Sequence, residues 1–179
     1  MNKNVVILNF SPRIDGNCGK ISDFLFDFHN RTNVSAYHID FTPCRGCNYE
    51  CLTPGAVCPL VYQQQKEVMQ AACDADLVYF IVPNFCGYPC TNYFAFNERK
   101  VGFFNGDRAL TQKYMSIEKK FIVVSNTEGD NFRNALQQQT SAEPEILYLK
   151  TGKCQKRSTA GDILDSQEAV SDLTAFLEK

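Results

Sequence analysis

Four closely spaced cysteines are the most reactive group of side chains in this sequence. They are Cys44, Cys47, Cys51 and Cys58, within a stretch of fifteen residues. The spacing C-x2-C-x3-C-x6-C places four soft sulfur ligands where modest folding of the loop could bring them to one metal centre. An iron–sulfur cluster and a structural zinc ion both suit four thiolates, and a loop of thiols that holds no metal is the third interpretation.

Three other segments carry hydrogen-bond donors beside glycine. Residues 11–19 combine a hydroxyl, a guanidinium and an amide before an expected helix, whose N-terminus suits a phosphate. An ordinary turn capped by Asn17 has the same composition. Residues 83–89 offer proline and aromatic surfaces that suit a flat heterocycle. Residues 125–130 are small and polar.

Apolar runs and helical periodicity indicate which elements position these segments. They predict strands over residues 4–9, 34–39, 77–82, 120–124 and 146–149, and helices over residues 16–28, 63–73, 93–99, 131–139 and 163–177. Strands that alternate with helices favour an α/β fold with a mostly parallel, doubly wound, five-stranded sheet in three layers. The three polar segments then converge on one crevice at the carboxyl ends of the strands.

Composition argues against several classes of function. The 179 residues include 18 Lys and Arg against 20 Asp and Glu, with a net charge of −2, which argues against a nucleic-acid partner. The apolar run at residues 5–8 is too short for a signal sequence or a membrane span, so we expect a cytoplasmic protein. The nine cysteines then suit metal or redox chemistry better than a disulfide scaffold. We expect a single domain over residues 1–179 with a cysteine-rich insertion at 43–59.

The first two loops resemble those of the NADPH-dependent FMN reductase and iron–sulfur flavoprotein group of flavodoxin-like proteins. The matching residues are Ser11-Pro12-Arg13 with Gly16-Asn17, and Pro83-Asn84-Phe85 with Glu98-Arg99. The resemblance covers roughly residues 4–130 and includes the cysteine insertion. It implies a flavodoxin-like fold with strand order 2-1-3-4-5, non-covalently bound FMN, NAD(P)H as a possible electron donor and a homodimer.

The resemblance also implies which residues bind the cofactors. Residues of the first loop would surround the FMN phosphate, namely Ser11, Arg13, Asn17 and Cys18. Residues of the other two loops would flank the isoalloxazine ring, namely Pro83, Asn84, Phe85, Cys86, Gly87, Asn126, Thr127 and Gly129. The four clustered cysteines would hold a [4Fe–4S] cluster, although the family's inner spacing is usually C-x2-C-x2-C.

Two residues depart from the family's first loop. Phe10 stands where the family usually has glycine, and we expect it to crowd the approach of the backbone to the ligand. Cys18 replaces a hydroxyl residue, so one hydrogen bond to phosphate becomes a weak S–H contact. Farther along the chain, Cys86 and Cys90 could form a redox-active pair, with packing as the alternative role.

The predicted function is therefore that of an FMN-binding, NAD(P)H-dependent oxidoreductase. No side-chain acid or base is required, because the flavin carries the chemistry and the protein positions it. The electron acceptor would be a small molecule or a redox protein. Two alternatives are an iron–sulfur flavoprotein that relays electrons between protein partners, and a non-enzymatic flavodoxin-like module with a zinc-bound or metal-free cysteine loop.

Overall fold

A parallel β-sheet forms the middle layer of the computed structural model, which describes residues 3–53, 56, 58, 63–126 and 130–179. Its strands are β1 (Val5–Asn9), β2 (Val34–His38), β3 (Leu77–Phe85), β5 (Glu118–Ser125) and β6 (Glu145–Lys150), and a two-residue strand, β4 (Tyr88–Pro89), pairs antiparallel with the end of β3. The sheet order is β2-β1-β3-β5-β6. The five long strands thus follow the predicted order 2-1-3-4-5, and the predicted fold class is confirmed.

Helices cover both faces of the sheet. They are α1 (Asn17–Phe28), α2 (Gln63–Asp74), α3 (Thr91–Phe104), α4 (Arg108–Ser116), α5 (Asp130–Leu136) and α6 (Gln167–Leu177), and short 3-10 turns lie at Glu50–Leu52, Gln137–Gln139 and Ile163–Asp165. Apolar residues of α1 and α6 pack on one face, and those of α2 to α5 pack on the other. No helix in the described part of the chain is long and apolar enough to cross a membrane.

The central strands β1, β3 and β5 are mostly buried because alternate side chains supply each of the two cores. In β1, Val6 and Leu8 join the core under α2 to α5, whereas Val5 and Ile7 join the core under α1 and α6. The same alternation runs through the buried part of β3, which lies at the centre of the sheet. Continuous apolar runs in the sequence therefore mark strands that are covered on both faces.

Several element boundaries differ from the sequence prediction. Helix α4 was missed because it is mostly polar, although Asp107 caps it by accepting a hydrogen bond from the Leu110 amide at 2.9 Å. The predicted helix over 163–177 starts instead with a 3-10 turn, and α6 begins after Ser166, whose hydroxyl accepts from the Ala169 amide. The predicted helix over 131–139 likewise ends in a 3-10 turn.

The buried Lys119 and the half-buried Lys100 lie beside the ring of Tyr114, at the end of the sheet opposite the polar loops. Lys119 lies 4.2 Å from the ring centroid and donates to the carbonyl oxygens of Tyr114 and Ile117. The ring favours the charged amine, but burial has the larger effect and lowers the pKa of Lys119 to about 7. Burial also lowers the pKa of Lys100 to about 8.

We expect the contribution of Lys119 to the stability of the folded protein to rise with pH between 7 and 9. An unfolded lysine keeps its proton up to a pKa of 10.5, whereas folded Lys119 loses it near 7. The unfolded chain therefore binds more protons in this window, and each such group adds a slope of at most roughly 1.4 kcal/mol per pH unit. Lys119→Met should reduce the slope in urea unfolding. Lys113→Met, which removes an exposed lysine paired with Asp74, is the control. An equal slope in wild type and Lys119→Met would contradict the assignment.

Candidate functional site

A cavity of about 370 Å³ opens at the carboxyl ends of β1, β3 and β5. Its walls are formed by Ser11, Pro12, Arg13, Asn17, Cys18, Pro83, Asn84, Phe85, Val124, Ser158 and Thr159. The first two predicted loops therefore meet at one site, as the rule for strand ends requires. A stretch after β6, which was not among the predicted loops, completes the wall.

Two hydrogen bonds between residues two positions apart fold the first loop back on itself. The Ser11 amide donates to Asn9 Oδ1 at 3.0 Å, and the Arg13 amide donates to Ser11 Oγ at 3.1 Å. The loop then enters α1 at Gly16, where a Cβ atom would lie 3.3 Å from Arg13 Nη2. Glycine at this position lets the guanidinium lie against the start of the helix.

Asn17 does not cap α1, which has no side-chain cap. It is buried, and its amide instead faces residues 158–163, which we call the strap. Asn17 Nδ2 donates to the Ser158 carbonyl at 3.1 Å, and Asn17 Oδ1 accepts from the Ile163 amide at 3.0 Å. Arg13 also donates to the strap, through Nη1 to the Thr159 carbonyl at 2.8 Å. The interpretation of Asn17 as an ordinary capping residue is therefore wrong.

The second loop is a β-hairpin rather than an irregular loop. Strand β3 continues to Phe85, and Cys86 and Gly87 form the turn to β4 with φ values of 53° and 88°. A two-residue turn with positive φ at both positions suits the twist of a hairpin. Asn84 fixes it, since its Oδ1 accepts from the Gly87 amide at 2.8 Å and its Nδ2 donates to Ser125 Oγ at 2.6 Å.

The hairpin separates the predicted ring-binding residues into two groups. Pro83, Asn84 and Phe85 line the cavity, whereas Cys86 and Gly87 form the tip and are not part of its described wall. The rings of Phe85 and Tyr88 are 53% and 52% exposed and form an apolar rim beside the opening. Apolar surface at the mouth of a cavity is suited to contact with a ligand or partner.

Only one of the predicted residues in the third loop can be placed. Thr127 and Gly129 lie outside the described residues. Asn126 Nδ2 donates to Ser158 Oγ at 3.3 Å, and its Oδ1 accepts from the Thr151 hydroxyl. Asn126 therefore contacts the cavity through the strap.

The expectation that Phe10 crowds the ligand is wrong. Its side chain is fully buried on the side of the sheet covered by α2 to α5, with ring centroids of Phe80, Tyr93 and Phe96 within 5.6 Å. The strand alternation turns it away from the cavity. Cys18 does line the cavity, and burial followed by the nearby Cys90 raises its pKa to about 12. Its thiol stays protonated and can offer only a weak S–H donor.

Cys86 and Cys90 do not form a reactive pair in this structure. Cys86 is exposed in the hairpin turn, and Cys90 is buried at the start of α3, where its thiol donates to the Phe10 carbonyl at 3.0 Å. Burial raises the pKa of Cys90. Packing, the alternative role, describes Cys90 better than redox chemistry.

The cysteine-rich segment runs along the outside of α3. Glu98 Oε2 accepts from the Cys44 amide at 2.9 Å, and the buried Arg99 donates to the carbonyl oxygens of Thr42 and Pro43 at 2.7 and 3.0 Å. Arg99 Nη1 also lies 3.8 Å from Cys58 Sγ. The Glu98-Arg99 pair, which the resemblance placed near the end of the helix after the second loop, therefore anchors the cysteine segment.

The four clustered thiols share one neighbourhood without forming a closed ligand set. Burial raises the pKa of Cys51, and Cys58, Cys47 and Cys44 raise it further. A Cβ atom on Gly102 would lie 3.1 Å from the Cβ of Cys58 and 3.6 Å from that of Cys51, so these two cysteines flank one point on α3. Within the described residues, no three His, Cys, Asp or Glu side chains are grouped so that they could hold a metal ion.

Solved structures with the same architecture identify the fold. The chain is similar to a Trp repressor binding protein from Bacillus subtilis, with a TM-score of 0.60, 16% identity and coverage of 96% of this chain and 99% of that one. A putative quinone reductase from Klebsiella pneumoniae gives a TM-score of 0.63 at 13% identity, covering 98% and 84%. An NADH:FMN oxidoreductase, EMOB, in its apo form gives 0.53 at 13% identity, covering 97% and 88%.

The chain has the flavodoxin-like fold. No protein-family model matches the sequence, and no curated protein sequence matches it. The match to solved structures rests on the order and direction of the strands. These can be shared at low sequence identity because a buried parallel sheet constrains them.

Three wall residues of this cavity lie outside the predicted loops. Val124 lies near the end of β5, and Ser158 and Thr159 lie in the long connection between β6 and α6. The rule that placed the other loops also applies to this one, because β6 is parallel to β5 and ends at the same edge. The position of this connection after the last strand was the signal that it could line the site. Its mildly basic composition instead indicated an ordinary solvent-exposed loop.

The location of Phe10 predicts a large loss of stability from its truncation. Phe10→Ala removes a fully buried ring from the aromatic cluster and should lower the free energy of unfolding by about 3–5 kcal/mol. Phe85→Ala, at the half-exposed ring of the hairpin, should change it by less than about 1 kcal/mol. Denaturant unfolding of both variants measures the difference. Equal losses would place Phe10 outside the core and contradict the structure.

Proposed function

We propose that the cavity binds FMN non-covalently and that the protein is an NAD(P)H-dependent oxidoreductase. One observation carries the proposal: the cavity combines a guanidinium and an amide at the start of a twelve-residue helix with flat apolar walls from β3 and β5. A phosphate and an aromatic ring system are the ligand groups that such walls favour. The similar structures include a quinone reductase and an NADH:FMN oxidoreductase, which adds support from shared architecture.

The phosphate end of the proposed ligand fits the first loop. A guanidinium has five N–H donors, and Arg13 uses Nη1 and Nη2 once each for the strap, so further donors stay available. Asn17 Nδ2 has a second N–H, and the first backbone amides of α1 have no partner within the helix. The positive end of the helix dipole adds to the attraction.

The ring end fits the walls formed by Pro83, Phe85 and Val124. Their apolar surfaces can hold a flat heterocycle, and Asn84 stiffens the hairpin through its bonds to Gly87 and Ser125. The cavity volume is near the lower end for small-molecule sites, so part of the ring would remain open at the rim. When bound, FMN supplies hydride and electron transfer, and the protein binds, orients and shields it.

The proposed electron acceptor is a small molecule or a redox protein that reaches the site past Phe85 and Tyr88. Phe85 lines the cavity, Tyr88 pairs with it across the hairpin, and both rings are half-exposed. A homodimer would cover them, and we propose this oligomeric state as well. Sedimentation of the purified protein, with and without FMN, tests it.

FMN binding should depend on the charge of Arg13. Arg13→Gln replaces the charged guanidinium by a shorter, neutral amide, and it should weaken FMN binding about tenfold or more, since a hydrogen bond to a charged group contributes about 1.5–3 kcal/mol. Riboflavin, which lacks the phosphate, should bind wild type and variant equally. Fluorescence titration measures both ligands.

Arg31→Gln is the matched control for this experiment. Arg31 is an exposed arginine paired with Asp27 near the end of α1, away from the cavity. It should bind both ligands as wild type does. If wild-type protein binds no FMN, or if it binds FMN without any oxidation of NADH or NADPH, the proposed function fails.

The alternative function is that of an electron relay between protein partners, in which the cysteine segment would hold a [4Fe–4S] cluster. Support comes from the closeness of the other three cysteines to Cys51, whose pKa they raise, and from the anchoring of the segment by Arg99. The loop would have to close around the cluster, because the described thiols are not grouped for a single ion. Zinc and a metal-free loop are the competing interpretations.

Anaerobic reconstitution with iron and sulfide tests the relay. Wild-type protein should take up about four iron atoms per chain, as a [4Fe–4S] cluster requires. Cys47→Ala should lose this uptake, whereas Cys86→Ala, at the exposed hairpin turn, should keep it. Bound zinc, or no metal in wild type, would favour one of the two competing interpretations.

A further inference from the structure

We propose that the strap, residues 158–163, is a positioning element of the cofactor site that holds Arg13 and Asn17 in place for the phosphate. This inference rests on the proposed function. It assigns a role to the connection between β6 and α6, whose residues Ser158 and Thr159 form part of the cavity wall.

The backbone of the strap receives the side chains of the first loop. Arg13 donates from Nη1 to the Thr159 carbonyl at 2.8 Å and from Nη2 to the Ser158 carbonyl at 3.4 Å. Asn17 Nδ2 donates to the same Ser158 carbonyl at 3.1 Å, and Asn17 Oδ1 accepts from the Ile163 amide. The Arg13 guanidinium and the Asn17 amide group each make two hydrogen bonds to the strap, and two bonds fix the plane of each group.

The strap is itself anchored to the sheet and to α1. Ile163 is fully buried in the core under α1 and α6. Ser158 Oγ accepts from Asn126 at the end of β5. Gly161 has a φ of +74°, and a Cβ atom there would lie 3.2 Å from the Asp15 carbonyl oxygen and 3.8 Å from Gly16 Cα. The strap therefore packs directly on the turn that precedes α1.

These contacts order the phosphate-binding groups before a ligand arrives. A free arginine side chain loses conformational entropy when it becomes fixed. If the strap already fixes it, binding does not bear that cost, and affinity rises accordingly. The strap leaves donors on Arg13 and Asn17 for the ligand, since it uses two of five N–H groups on one and one of two on the other.

Gly161→Ala tests the role of the strap. The added methyl group meets the Asp15 carbonyl and strains the backbone, so it should shift the strap away from the first loop. We expect the Kd for FMN to rise about tenfold, and the Kd for riboflavin to stay within about twofold of wild type, because only FMN has the phosphate. Fluorescence titration of both flavins gives these values.

Gly106→Ala is the matched control. Gly106 also has a positive φ, of +76°, but a Cβ atom there would meet nothing within 4 Å, and it lies before α4, away from the cavity. Both variants carry the strain of alanine at positive φ. Only Gly161→Ala should weaken the binding of FMN more than the binding of riboflavin. Equal Kd values for FMN in the two variants would overturn the proposal. An equal rise in the Kd values of FMN and riboflavin in Gly161→Ala would overturn it too.

Ser158→Ala provides a second test that introduces no backbone strain. It removes the side-chain acceptor of Asn126 and should raise the Kd for FMN about threefold, with riboflavin unchanged. An unchanged Kd for FMN in both Ser158→Ala and Gly161→Ala overturns the role of the strap while leaving FMN binding intact. Absence of FMN binding in wild type instead overturns the proposed function, and the role of the strap with it.

Discussion

Burial of the parallel sheet on both faces is the constraint from which the other features follow. The two cores leave no room for polar side chains along most of β1 and β3, so polar groups collect where the strands end. At the carboxyl edge, the backbone has to turn from strands into helices, and the free amides of α1 and the open end of β3 meet there. A binding site at this edge is thus a consequence of the layered architecture, and loop chemistry decides what it binds.

The same constraint explains why a phenylalanine is tolerated beside the site. Strand alternation continues one residue past the end of β1 and turns Phe10 into the aromatic cluster below the sheet. Phe10, which was expected to crowd the ligand, therefore stabilises the first loop through its packing. The Cys90 thiol donates to the carbonyl oxygen of Phe10, which links this residue to the start of α3. The geometry of the first loop depends on packing beneath it as much as on its own hydrogen bonds.

The sequence predicts what periodicity and apolar runs can encode. All five long strands, their order and the meeting of the first two loops were predicted, the order through the family resemblance. Helix α4 was not, because it buries little besides Tyr114 and its signal was a single Asp107 cap. The hairpin was not predicted, because Cys86 has a positive φ, which is uncommon for residues other than glycine. The strap could not be predicted from spacing, since its contacts join residues more than 140 positions apart in the chain.

The most direct test of the central claim is a crystal structure of the protein grown with FMN. The account predicts the phosphate at the start of α1, within hydrogen-bond distance of Arg13 and Asn17, and the ring against Pro83, Phe85 and Val124. The strap should keep its bonds to Arg13 and Asn17 in that complex. FMN bound anywhere else, or a cavity that stays empty at saturating FMN, would contradict the account.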